Sequence, residues 1–168
     1  MNKLVILSGV PGSGKSYFSK TLKKVQNSHV YVVSSDALRG EITGSQANMS
    51  EDALVWSMFY SLAEIYGRDK NGIVILDATN ISATLRVDKT QELRKSFDKA
   101  YLIMWNIDPL IVKNQNLQRE YPIPPKVLDH YIEVFELPTE KDKAFFDKII
   151  LIENSDISPA ISMVTNDE

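Results

Sequence analysis

Four short stretches hold side chains whose types and spacing can do chemistry together. The first is GVPGSGKS, residues 9–16, which fits G-x-x-x-x-G-K-[ST] in full. Gly9, Gly12 and Gly14 let a backbone wrap closely around an anion, with Pro11 and Ser13 between them. Successive N–H groups and a helix N-terminus then face phosphate. Lys15 is expected to reach the β- and γ-phosphates of a nucleotide, and the Ser16 hydroxyl to hold Mg²⁺. The second stretch is VVSSDALRG, residues 32–40, where Asp36 is followed one helical turn later by Arg39. A transferring phosphoryl group needs a carboxylate that orients the acceptor hydroxyl and takes its proton, which suits Asp36. A planar guanidinium such as Arg39 matches a phosphate beside that hydroxyl.

The third stretch is LDATN, residues 76–80. Asp77 follows an apolar run and is placed to hold Ser16 or a water on Mg²⁺. Thr79 and Asn80 can bond either the acceptor or loop backbone, and Arg86 lies in the helix that follows. The fourth is NLQREYPIPP, residues 116–125, in which Arg119 precedes prolines that stiffen the return of the chain. A hinged helical hairpin over approximately 109–125 would bring Arg119 above the phosphates as a lid and stabilise charge on the transferring group. His29 and His130 are isolated and lack metal-ligand spacing. A guanine-reading Asn-Lys-x-Asp is absent, which argues against a GTPase.

The elements that must position these groups follow from periodicity. Residues 3–8, 29–35, 71–80, 99–107 and 148–154 read as strands. Helices are expected after Ser16, over roughly 50–67 with Ser50 as cap, from a Ser82 cap, from an Asp108 cap with Pro109 in first position, and from Pro125. Continuous apolar strands separated by helices mean an α/β fold: a five-stranded, mainly parallel sheet with helices on both faces. Ligands in such sheets bind outside the C-terminal strand ends, so the phosphate loop, Asp36 and Asp77 share one crevice. Phe145 and Phe146 are expected in the core, and the polar tail at about 155–168 is expected to fray.

With 168 residues the chain is expected to form a single domain over 1–168. A net charge of −3 excludes a basic nucleic-acid coat, so any polynucleotide would be gripped locally. There is no cysteine, hence no disulfide and no thiolate metal site; a reducing, cytoplasmic setting fits. No apolar run reaches the ~20 residues of a membrane span.

Taken in order, GVPGSGKS, SSDALRGEITG, LDATN and an Arg before a Pro-rich segment resemble the polynucleotide 5′-hydroxyl kinase family of P-loop phosphotransferases. The similarity runs over roughly 1–137. It implies a P-loop kinase fold with a helical lid, ATP and Mg²⁺ as cofactors, and a 5′-hydroxyl RNA or DNA end as partner. It further implies that Asp36 is the general base, that Arg39 contacts the substrate's 3′-phosphate, and that Arg119 acts with Lys15 on the phosphates. Two other readings stay open on this scaffold. One is a kinase of a small hydroxyl compound such as a nucleoside, sugar or antibiotic. The other is an ATP-binding regulatory module without turnover.

Overall fold

The computed structural model describes residues 1–166. Five strands, β1 (Lys3–Ser8), β2 (Val30–Ser34), β3 (Ile73–Asp77), β4 (Lys99–Trp105) and β5 (Lys148–Ile152), form one sheet in the order β2-β3-β1-β4-β5. Every pairing is parallel, from Lys3 opposite Ile73 and Lys99 to Trp105 opposite Ile152. β1 is central and wholly buried, which is why KLVILS reads as a continuous run rather than an alternating one.

Alternate residues serve two cores. Leu4, Ile6, Val74, Leu76, Leu102 and Met104 face a layer containing Val55, Phe59 and Ala63 of α3 (Asp52–Tyr66). Val5, Leu7, Ile75, Tyr101 and Ile103 face Phe18 and Leu22 of α1 (Lys15–Gln26). Phe146 is buried in the first layer, with Phe145 packed edge-on against it.

Three expectations change. The helix from Ser82 is broken into α4 (Ala83–Arg86), a 3₁₀ turn at Asp88–Thr90 and α5 (Gln91–Arg94), although Ser82 does accept the Leu85 N–H. α3 starts at Asp52 rather than Ser50, and no side chain caps it. The tail does not fray over its described length. After α8 (Glu140–Phe145) and β5, helix α9 (Ser158–Thr165) packs Ala160 and Val164 into the second core. The Lys3 ammonium, itself 3% exposed, donates to the carbonyls of Val164 at 2.7 Å and Asn166 at 3.0 Å. A cation at the helix C-terminus satisfies carbonyls that the helix leaves open. Residues 167 and 168 lie outside the described residues.

Candidate active site

The loop between β1 and α1 is held open by glycine. Gly12 and Gly14 have φ of +83° and +110°, a region costly for a side chain. A Cβ on Gly12 would also stand 3.2 Å from the Val112 carbonyl and 3.3 Å from the Asn116 nitrogen of α6 (Pro109–Leu117). Under the loop, Trp105 at the end of β4 packs edge-on against Phe18, with ring centres 5.9 Å apart. The Lys15 Nζ donates to the carbonyls of Gly9 at 2.8 Å and Val10 at 3.0 Å. Burial pushes the Lys15 pKa down to about 8; Asp77 opposes this, Arg119 adds to it and Asp36 opposes it. The Ser16 hydroxyl donates to Asp77 Oδ2 at 3.3 Å. Burial raises the Asp77 pKa above its ordinary value, against the attraction of Lys15 and the Ser16 hydrogen bond. Ser16 and Asp77 thus offer hard oxygen donors side by side, which fits Mg²⁺.

α2 (Ser35–Thr43) leaves β2 with the Ser34 hydroxyl accepting the Ala37 N–H. This cap starts the helix directly at the strand end and lifts Asp36 into the crevice. Asp36 is half exposed and contacted by two arginines. Arg39 Nη1 donates to its Oδ1 at 3.1 Å, and Arg119 Nη2 donates to its Oδ2 at 3.3 Å. Arg119 sits in the turn after α6, before α7 (Pro125–Val134). The Asn116 side chain fastens that turn from within. It donates to the Ile123 carbonyl at 2.8 Å and accepts the Ile123 N–H at 2.9 Å. Val10, Val112 and Leu128 pack together beneath, so the hairpin is seated on the phosphate loop.

Lys15, Ser16, Asp36, Asp77 and Arg119 therefore converge at the C-terminal ends of β1, β2 and β3. Three other expected substrate contacts, Arg39, Arg86 and Asn80, do not reach the crevice as free groups. The Arg39 side chain is only 7% exposed and also donates from Nε to Asp52 Oδ1 at 3.1 Å. Arg86 is fully buried: it meets both oxygens of Asp142 at 2.9 and 2.8 Å and donates to the Glu136 carbonyl at 2.9 Å. It is a fold staple, because a lone buried guanidinium would be prohibitive and this one is fully matched. Asn80, at φ +43°, donates to the Leu7 carbonyl at 2.7 Å, and its own carbonyl accepts the Ser8 hydroxyl at 2.7 Å. The Thr79 backbone carbonyl accepts the Gly9 N–H at 2.9 Å. Asn80, buried and bonded to the Leu7 carbonyl, locks the entry of the phosphate loop together with the Thr79 carbonyl.

Sequence reasoning missed Asp52 as part of the site and missed Asp142. Asp52 lies in the first turn of α3, where an acid is ordinary and draws no notice. Asp142 carried a findable signal: T-E-K-D at 139–142 is a capping box, with Thr139 and Asp142 bonded reciprocally.

Comparisons with known proteins bear on the family and the fold. A family model described as an AAA domain, AAA_33, matches residues 4–138. An L-seryl-tRNA(Sec) kinase of Methanococcus maripaludis is 28% identical over 152 residues, 82% of this chain. The chain spans about half of that relative's length, 54%. Among solved structures, the Pnkp1/Rnl/Hen1 RNA repair complex matches with a TM-score of 0.71 at 21% identity, over 87% of this chain and 46% of that one. A gluconokinase from Sinorhizobium meliloti matches with a TM-score of 0.61 at 16% identity, over 96% of this chain and 87% of that one. The fold is thus P-loop kinase-like, and the chain belongs to the AAA_33 family of AAA domains.

Proposed function

We propose that this chain is an ATP-dependent kinase that phosphorylates a hydroxyl carried on a nucleic acid, with a 5′-hydroxyl end as its first candidate acceptor. The observation that carries the reading is the position of Asp36 across the crevice from Lys15, with Arg119 bridging toward it. A regulatory ATP-binding module has no use for a half-exposed carboxylate at that place.

In this reading the phosphate loop wraps the triphosphate, and Lys15 leaves the Gly9 and Val10 carbonyls to meet it. Ser16 and Asp77 would hold Mg²⁺, which supplies charge neutralisation on the phosphate oxygens. Asp36 accepts the proton of the acceptor hydroxyl as that oxygen bonds to the γ-phosphorus. The bond from the γ-phosphorus to its bridging oxygen breaks, leaving ADP and a phosphate ester. Arg119 swings from Asp36 to the transferring group, so the hairpin at 109–125 acts as a lid.

The names of two relatives support an RNA-borne acceptor: one is a kinase of seryl-tRNA, the other an RNA repair complex. One observation favours a small hydroxyl compound instead. Arg39 is occupied by two carboxylates, which removes the expected grip on a neighbouring substrate phosphate. The test is label transfer from terminal-phosphate-labelled ATP across an acceptor panel: 5′-hydroxyl RNA, 5′-hydroxyl DNA, serine-charged RNA, a nucleoside and a sugar acid. Preferred transfer to a nucleic acid is expected. Transfer to the nucleoside or sugar acid alone would overturn the acceptor class, and transfer to none would overturn the kinase reading.

A further inference from the structure

Asp36 has two carboxylate oxygens, and the structure treats them differently. Oδ1 accepts from Arg39 at 3.1 Å, within α2 itself. Oδ2 accepts from Arg119 at 3.3 Å, on the far hairpin. The two arginines also differ in surroundings. Arg119 is 26% exposed, and Asp36 is the one acid paired with it among the described residues. Arg39 is 7% exposed and is gripped from behind by Asp52 Oδ1 at 3.1 Å through its Nε. Asp52 opens α3, the helix that packs beside α2.

We propose that Asp52 is a positioning residue: it fixes Arg39, which fixes Oδ1 of Asp36 and leaves Oδ2 as the oxygen that takes the acceptor's proton. This rests on the kinase reading above. A guanidinium is planar and offers donors in a rigid fork. With Nε held by Asp52 and Nη1 by Asp36, the fork cannot rotate without losing one partner. The Asp36 carboxyl is then fixed about its own bonds, although half of it faces solvent. When Arg119 leaves for the phosphates, Oδ2 is uncovered while Oδ1 stays bound. The acceptor hydroxyl donates its proton to Oδ2 as its oxygen attacks phosphorus. Misplacement of about 1 Å in such a base can cost on the order of a hundredfold in rate. The arrangement also settles why Arg39 does not point into the crevice: Asp52 competes for it and holds it buried.

The test is a double-mutant cycle with Asp52→Ala, Arg39→Ala and the double variant, plus Asp52→Glu as the conservative replacement. Label transfer to the best acceptor gives kcat and KM, and ATP affinity and melting temperature are measured alongside. Asp52→Ala is expected to lower kcat tenfold or more, with ATP affinity unchanged within twofold. Asp52→Glu should recover part of that loss. The double variant should be no slower than Arg39→Ala alone, since Asp52 acts only through Arg39. Additive losses, or a loss confined to acceptor KM, would overturn the proposal, as would Asp52→Ala turning over like the wild type. If Asp52→Ala melts early, Asp52→Leu, which keeps the bulk and removes both acceptor oxygens, decides by the same kcat criterion. A wild-type protein that phosphorylates no acceptor fails differently, because it removes the kinase reading itself.

Discussion

Arg119 and Asp36, separated by 83 positions in sequence, meet at 3.3 Å and join the hairpin turn to the first turn of α2. The proposed reaction calls on both groups, yet here each occupies the other. A charge pair that both partners must leave before reaction is a ready device for coupling nucleotide arrival to release of the base. Arg119→Ala should therefore weaken ATP-dependent turnover by a hundredfold or more, as removal of charge-stabilising cations does. It should also leave the hairpin more open without nucleotide, read as faster amide hydrogen exchange at 118–124. Unchanged exchange together with unchanged turnover would contradict the role.

Lys15 gives a pH-dependent prediction. Its pKa stands at about 8 rather than 10.5, chiefly because it is buried. Bound phosphate would restore the charged form, so ATP binding near pH 8.5 should take up a proton. Below pH 7 the free protein already carries it, and this uptake vanishes. Titration calorimetry in two buffers of different ionisation enthalpy reads the proton directly. Equal binding enthalpies in both buffers at pH 8.5 would refute the assignment. Lys15→Ala should abolish transfer.

Burial makes the charged form of Asp77 costly. Its pKa is raised above the ordinary value, first by burial. A group of this kind favours the folded state when protonated, and that contribution is lost as pH rises through the folded pKa. At neutral pH Asp77→Asn should then raise the melting temperature, by roughly 2–5 °C. The same variant should lose Mg²⁺-dependent transfer. A lowered melting temperature would mean that its attraction to Lys15 outweighs its desolvation.

Arg86 and Asp142 are both fully buried and paired at 2.8 Å. Removing either alone strands a buried charge, and Arg86→Ala or Asp142→Ala should cost about 3–5 kcal/mol of stability. Chemical denaturation measures it. ATP affinity per folded molecule should fall far less than stability, since Arg86 meets the phosphate loop only indirectly, through the Ser8 hydroxyl at 3.4 Å and the Asn80 carbonyl at 3.2 Å.

The legible part of this site was the part written as local pattern. GVPGSGKS declares its own loop because glycine spacing and a following helix are both sequence-adjacent. The strands were legible because a doubly covered strand must be apolar throughout. Asp36 and Asp77 followed, since both sit at strand ends in one sheet. What failed was the fate of two arginines, Arg39 and Arg86. Arg39, Arg86 and Arg119 look alike as letters, and their roles depend on acids elsewhere in the chain: Asp52, Asp142 and Asp36. No periodicity reports which acid waits behind which arginine. The tail failed for a related reason, because its polar letters hide the Ala160 and Val164 pair that docks beside α1 and the Lys3 ammonium that closes its end.

The most direct measurement is single-turnover transfer from terminal-labelled ATP with Mg²⁺ to the best acceptor, comparing wild type with Asp36→Asn under matched ATP occupancy. The account predicts that the variant binds ATP with near-normal affinity and transfers at least a hundredfold more slowly. Equal transfer rates, or a loss traced wholly to ATP binding, would contradict Asp36 as the base.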